Sequence, residues 1–119
     1  MLTTVKVLVV DAAAAVRSRL VALLVEGGVT VVGEAASSIH ARAFATEHAP
    51  DAIVLDVDLP DRGGLALVED FARVMTVLVL TNALSYRRRC MMLGARAFLD
   101  KSVDFGAVAE TLLSPRLVA

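Results

Sequence analysis

Five short runs of aliphatic and β-branched residues, each followed by a longer stretch with helical spacing, constrain this chain more than any other feature of its sequence. Val5 to Val10 (VKVLVV), a run led by Val29 to Val32, Ala52 to Leu55 (AIVL), Val77 to Leu80 (VLVL) and the short Ala97 to Leu99 read as strands. The first helix is expected over Ala13 to Glu26, with Val16, Leu20, Leu23 and Leu24 at helical spacing, and Gly27 and Gly28 end it. Ser37 or Ser38 caps a second helix that runs to about His48, and Pro50 closes that unit. The turn Leu59 to Gly64 leads to a third helix with Leu65, Val68, Phe71 and Ala72 on one face. A fourth spans Leu84 to Leu93 and stops at Gly94. Asp104 caps a last helix to Leu113, with Pro115 just beyond it. The strands do not alternate between polar and apolar residues, so they are expected to be buried on both faces. That is the signature of a parallel sheet covered by helices, and a hydrophobic content of 57% agrees with it. Right-handed crossovers then predict an α/β fold, a doubly wound (βα)5 three-layer sandwich. Its parallel five-stranded sheet takes the order 2-1-3-4-5. The 119 residues form one domain, with a core over about 5–113 and a short C-terminal tail. They are too few for a (β/α)8 barrel.

Composition excludes several functions. A formal net charge of -1 supplies no electrostatic reason to bind nucleic acid or an anionic membrane. One cysteine, Cys90, makes no internal disulfide and fits a reducing compartment. Two histidines, His40 and His48, form no His-rich metal site; eight residues apart, they belong on a surface helix face. No apolar run approaches the roughly 20 residues of a membrane span, and no secretory-signal layout precedes the first strand. The expected location is cytoplasmic.

In open sheets of this type, ligands bind beyond the carboxyl ends of the strands, where the winding reverses. Strand one delivers Asp11 to that edge. Strand three delivers Asp56, with Asp58 two residues on, strand four Thr81 and strand five Lys101. Asp11 and Asp56 stand side by side in the expected strand order, and two close carboxylates need a cation. A lysine supplies one charge. Magnesium supplies two and takes one or two carboxylates plus phosphate oxygens and water. A carboxylate so held is a nucleophile toward a phosphoryl group, and Thr81 and Lys101 suit the resulting oxygens. Each residue also has an ordinary reading: Asp11 or Thr81 as a helix cap, Asp56 as a turn acid, Lys101 as a solvated lysine. Their convergence on one edge favours the joint reading.

The landmarks VLVVDAAAAVR, IVLDVDLPDRGGLAL, VLVLTN and GARAFLDKS, from Val5 to about Leu113, resemble the response regulator receiver family of two-component signal transduction, which has a flavodoxin-like fold. The resemblance implies that Asp56 accepts a phosphoryl group from a histidine kinase or phosphotransfer protein, with Thr81 and Lys101 binding its oxygens. Asp11, Asp56 and the backbone carbonyl of Asp58 would hold Mg2+. Pro60 and Gly64 match the turn that follows the acceptor, and Phe98 matches an aromatic switch position three residues before the lysine. Output to a downstream protein, or a homodimer, would use the face formed by helix 4, strand 5 and helix 5. Beyond phosphorylating and dephosphorylating itself, such a domain is not an enzyme.

One departure matters. The family carries two adjacent acids after strand one, five residues before an arginine. Counting back from Arg17, the second acid falls on Ala12. This weakens or abolishes magnesium binding, and two readings stay open: a phosphoacceptor, or a pseudo-receiver that binds proteins without magnesium-dependent phosphorylation. Ser102 stands where many members have proline, and Asn82 where a small residue is usual. Tyr86 and Arg87 to Arg89 open the fourth helix as a solvated start or a partner face; their charges oppose the helix dipole. Cys90, Met91 and Met92 are expected to pack in or near the core. Asp56-x-Asp58 also matches the DxD of haloacid-dehalogenase phosphatases, but it follows the wrong strand. A carrier of a phosphate ligand is disfavoured because Asp11 to Ala15 has no glycine.

Overall fold

The computed structural model describes residues 4–114. The strands are β1 (Lys6–Val10), β2 (Thr30–Ala35), β3 (Ala52–Leu55), β4 (Thr76–Thr81) and β5 (Ala97–Asp100). The helices are α1 (Ala14–Glu26), α2 (Ser38–His48), α3 (Gly64–Phe71), α4 (Arg87–Met92) and α5 (Val108–Leu113), the last two each preceded by a 3-10 turn. All strand pairs are parallel, and the sheet order is β2-β1-β3-β4-β5, as the alternation of elements predicts. Pro115 and the tail after Ser114 lie outside the described residues. Among these, no helix is long and apolar enough to cross a membrane.

The central strands are apolar throughout because both their faces are covered. Leu8, Val10, Ile53, Leu55, Val77 and Val79 point to one side, where they pack with Ala41, Leu67, Val68, Phe71 and Cys90 of α2, α3 and α4. Val7, Val9, Val54, Leu78 and Leu80 point to the other and meet Leu20, Leu24, Val108 and Leu112 of α1 and α5. Successive residues of a strand feed opposite cores. A polar residue therefore has no place in these strands until they end.

The structure departs from the sequence expectations at element ends. Strand β2 runs on to Ala35, because its edge position needs no unbroken apolar run. The fourth helix is not continuous from Leu84: a 3-10 turn over Leu84–Tyr86 precedes α4. Asp104 does not cap the last helix; its carboxylate accepts from the Asp100 N–H at 2.9 Å instead. Of the Cys90-Met91-Met92 run only Cys90 is buried, and both methionines are exposed. Neighbours on a helix point about 100° apart, so one of three can face the core.

Strand β2 also carries a register shift where Val7 pairs with Val31 and Leu8 with Gly33. The Phe44 ring of α2 lies on the bare backbone of Gly33: a Cβ there would stand 2.1 Å from the ring. Phe44 in turn stacks on His48, with ring centroids 4.2 Å apart. Gly33→Ala is therefore expected to destabilise the fold by about 1–3 kcal/mol through overpacking. Urea unfolding should show the loss, and Phe44→Leu in the same chain should recover part of it.

Candidate functional site

Four polar or charged residues are buried among those described: Asp11, Ser38, Asp56 and Thr81. Three of them meet at the carboxyl edge of the sheet. The backbone puts them at one level, since the Asp11 N–H donates to Ala35 (3.1 Å), that of Asp56 to Val10 (2.9 Å) and that of Lys101 to Thr81 (3.0 Å). Asp11, Asp56 and Lys101 are thus each the first residue beyond a strand, and Thr81 is the last residue of β4.

Lys101 closes the cluster. Its ammonium donates to Asp11 Oδ2 at 2.6 Å and to Asp56 Oδ2. Burial acts against its charge, but the hydrogen bonds and charges of Asp11 and Asp56 outweigh it and hold the ammonium above the usual lysine value. The other oxygen of Asp56 accepts from the Thr81 hydroxyl at 2.7 Å and the Asp58 N–H at 2.9 Å. Thr81 Oγ1 itself accepts from the Ala83 N–H at 3.1 Å, so its proton is directed at Asp56. Asp11 Oδ1 accepts from the Ala13 N–H at 2.9 Å and turns the chain toward α1, whose cap position is Ala13. Arg17 donates to the Asp11 carbonyl at 2.7 Å and pairs with Glu34 at 3.3 Å.

Of the sequence-derived candidates, the side chains of Asp11, Asp56, Thr81 and Lys101 converge here, and Phe98 packs in the hydrophobic core instead. Asp58 is exposed and joins the pocket through its backbone. Ala12 and Asn82 are exposed as well. Phe98 is 4% exposed, with the Arg87 guanidinium 4.9 Å above its ring. Among the described residues, no group of three or more His, Cys, Asp or Glu side chains is arranged to hold a metal ion. Asp11 and Asp56 are two carboxylates aimed at one point, which fits the protein share of a magnesium site.

Two supporting devices escape sequence reading. Where proline is usual, the Ser102 N–H and hydroxyl both donate to Asp100 Oδ1, at 2.9 and 2.7 Å. The Ser102 hydroxyl above all, with its N–H, holds the Asp100 carboxyl below its ordinary value, and Asp104 fastens the same turn from the other side. Asp61, in the loop after Asp56, accepts from the Ser38 hydroxyl at 2.7 Å, the Ser38 N–H at 2.9 Å and the Ile39 N–H at 3.2 Å. These bonds, led by the Ser38 hydroxyl, lower its pKa from 3.8 to about 2. Their only sequence signal is an acid beside Pro60.

A five-stranded α/β sandwich with an aspartate, a threonine and a lysine at its carboxyl edge defines a class of signalling domain, and comparison with known proteins agrees. The family model described as "Response regulator receiver domain" matches residues 7–113. The chain belongs to this family. It is similar to the protein-glutamate methylesterase/protein-glutamine glutaminase 2 of Xanthomonas oryzae pv. oryzae, at 37% identity over 83% of this chain and 30% of that protein. It is also similar to the transcriptional regulatory protein PdtaR of Mycobacterium tuberculosis, at 36% identity over 81% of this chain and 49% of that protein. The chain spans half or less of the length of both. The crystal structure of the response regulator domain of Thermotoga maritima CheB superposes with a TM-score of 0.77 and 26% identity, covering 93% of this chain and 92% of that one.

Two measurements test the electrostatics. Lys101→Met leaves two facing carboxylates without their cation and should cost about 3–5 kcal/mol in urea unfolding at pH 7; adding Asp11→Asn should recover part of this. The Asp61 carboxyl carbon should titrate near pH 2 by NMR. Its folded value lies below the unfolded one, so its contribution to stability is complete above the ordinary value of 3.8 and is lost as pH falls from there through about 2.

Proposed function

We propose that this chain is a single receiver domain over residues 1–119 that accepts a phosphoryl group on Asp56 from a histidine kinase or phosphotransfer protein. The observation that carries the reading is the set of partners around Asp56: one oxygen on Thr81 and the Asp58 N–H, the other on Lys101. These groups fix the carboxylate and supply the donors that a new phosphoryl group requires. A carboxylate oxygen of Asp56 bonds to phosphorus while the bond from phosphorus to the donor's imidazole nitrogen breaks. That nitrogen keeps the electron pair and takes a proton from solvent. The Thr81 hydroxyl and the Lys101 ammonium then turn to the phosphoryl oxygens. Asp11, Asp56 and the Asp58 carbonyl would hold Mg2+, which when bound neutralises charge on the transferring group. Water attack on the same phosphorus reverses the modification, so the chain's only catalysis acts on itself.

The output proposed is a change in Phe98, now buried beneath Arg87, read by a downstream protein or a second copy on the face of α4, β5 and α5. Such a switch needs two states separated by a few kcal/mol. The reading includes a cytoplasmic location and no direct contact with nucleic acid or membrane.

A specific observation supports a second reading. Ala12 contributes no carboxylate, and Lys101 already bridges the two acids that remain. In a pseudo-receiver, Lys101 would be the permanent counter-ion and the fold a protein-binding module without magnesium-dependent phosphorylation. One experiment separates the two. Acetyl phosphate with magnesium should add the mass of one phosphoryl group to the wild-type chain and none to Asp56→Asn. No gain in the wild type, or a gain that survives Asp56→Asn, sinks the phosphoacceptor reading. Ala12→Asp should bind magnesium about tenfold or more tightly than the wild type, since losing even a residue that only supports a metal ligand costs about tenfold or more. NMR titration of the pocket amides measures this.

A further inference from the structure

The loop after Asp56 does not end at the pocket. Asp58 ties its start to Asp56 Oδ1 through a 2.9 Å bond. Leu59 N–H donates to Val57, and Arg62 N–H to Leu59, each at 3.0 Å. Asp61 Oδ1 takes the Gly63 N–H at 3.3 Å. Its other oxygen crosses to α2 and takes both donors of Ser38 and the N–H of Ile39. The first N–H groups of a helix have no partners within it. In α2, Ser37 Oγ serves the third of them, His40, at 3.3 Å, and Asp61 serves the first two from 22 and 23 residues away.

The glycines that follow leave the loop no slack. A Cβ on Gly63 would lie 2.0 Å from Ser38 Oγ, and one on Gly64 would lie 2.1 Å from the Val57 carbonyl oxygen. Ser38 is itself buried, so its hydroxyl depends on Asp61. Hydrogen bonds and close backbone contacts thus run from Asp56 to the start of α2, beside the apolar packing of Val57 and Leu59 in the core. Arg42 and Asp70 add a surface tie between α2 and α3 at 2.8 Å.

We propose that Asp61 is a positioning residue that couples the state of Asp56 to the N-terminal turn of α2. Its use in signalling rests on the phosphoacceptor reading of Asp56. A group added to Asp56, or removal of its charge, alters the oxygen that holds the Asp58 N–H, and the loop passes that change to Ser38 and Ile39. Coupling of this kind is reciprocal, so loosening Asp61 alters the Asp56 pocket by the same factor.

The test is a double-mutant cycle read by amide hydrogen exchange at Ser38 and Ile39, without any phosphoryl donor. Asp56→Asn should change their exchange rates by about threefold or more, and the change should vanish in Asp61→Ala. No response to Asp56→Asn, or an equal response with and without Asp61, overturns the proposal; a simple structural cap would give that equal response. Asp61→Gly removes the acceptor as well and serves if Asp61→Ala does not fold; an undiminished response there overturns the proposal too. The acetyl phosphate experiment tests Asp56 separately. A chain that takes no phosphoryl group yet shows the cycle loses the phosphoacceptor reading alone, and a phosphorylated chain without the cycle loses the role of Asp61 alone.

Discussion

A parallel sheet with both faces buried leaves its central strands one outlet for polar chemistry, their ends. From Val7 to Val10, Ala52 to Leu55 and Val77 to Leu80, every residue is apolar and almost fully enclosed. The next hydrogen-bonding side chains come where the helices no longer cover the sheet. Asp11, Asp56, Thr81 and Lys101 are gathered by this constraint before any specific attraction acts among them. Attraction then sets the geometry. Two carboxylates at adjacent strand ends would repel, and Lys101 reaches them from the far edge of the sheet with a charge their hydrogen bonds preserve.

This explains how much was legible in the sequence. Strand-end residues can be read from a linear sequence because the apolar run beside each one announces its place, and strand order then brings them together. The pocket is legible in this way, whereas Phe98 is marked only by its match to the family's switch position. Asp61, Asp100 and Asp104 announce nothing. Asp61 lies in a loop and its partners are set by how that loop meets the start of α2, whereas Asp100 ends β5 and pairs within the turn it shares with Ser102 and Asp104. Asp104 has the sequence of a helix cap, yet the Asp100 N–H was the better-placed donor. The residues of the fourth helix have acceptable helical spacing from Leu84, yet the first turn, Leu84–Tyr86, is 3-10 and only Arg87–Met92 forms regular α-helix.

Ala12 has a consequence for charge balance that reaches beyond metal binding. With Asp11 and Asp56 as the acids of the pocket, one lysine leaves it a single negative charge. A third acid at position 12 would leave it two. Lys101 therefore neutralises a larger share of the pocket than it would beside three acids. The Asp100–Ser102 turn gains importance accordingly, because it fixes where that lysine begins. Serine there provides the N–H that a proline ring lacks, and Asp100 accepts it.

The one cysteine has a use in the laboratory that its chemistry would not suggest. Cys90 is fully buried between α4 and the sheet, and burial pushes its thiol above the usual value. A reagent reaches the sulfur only when α4 lifts away or the whole domain opens. Alkylation of the native chain thus clocks the excursions of the short, arginine-rich helix that flanks Phe98, with no label to introduce.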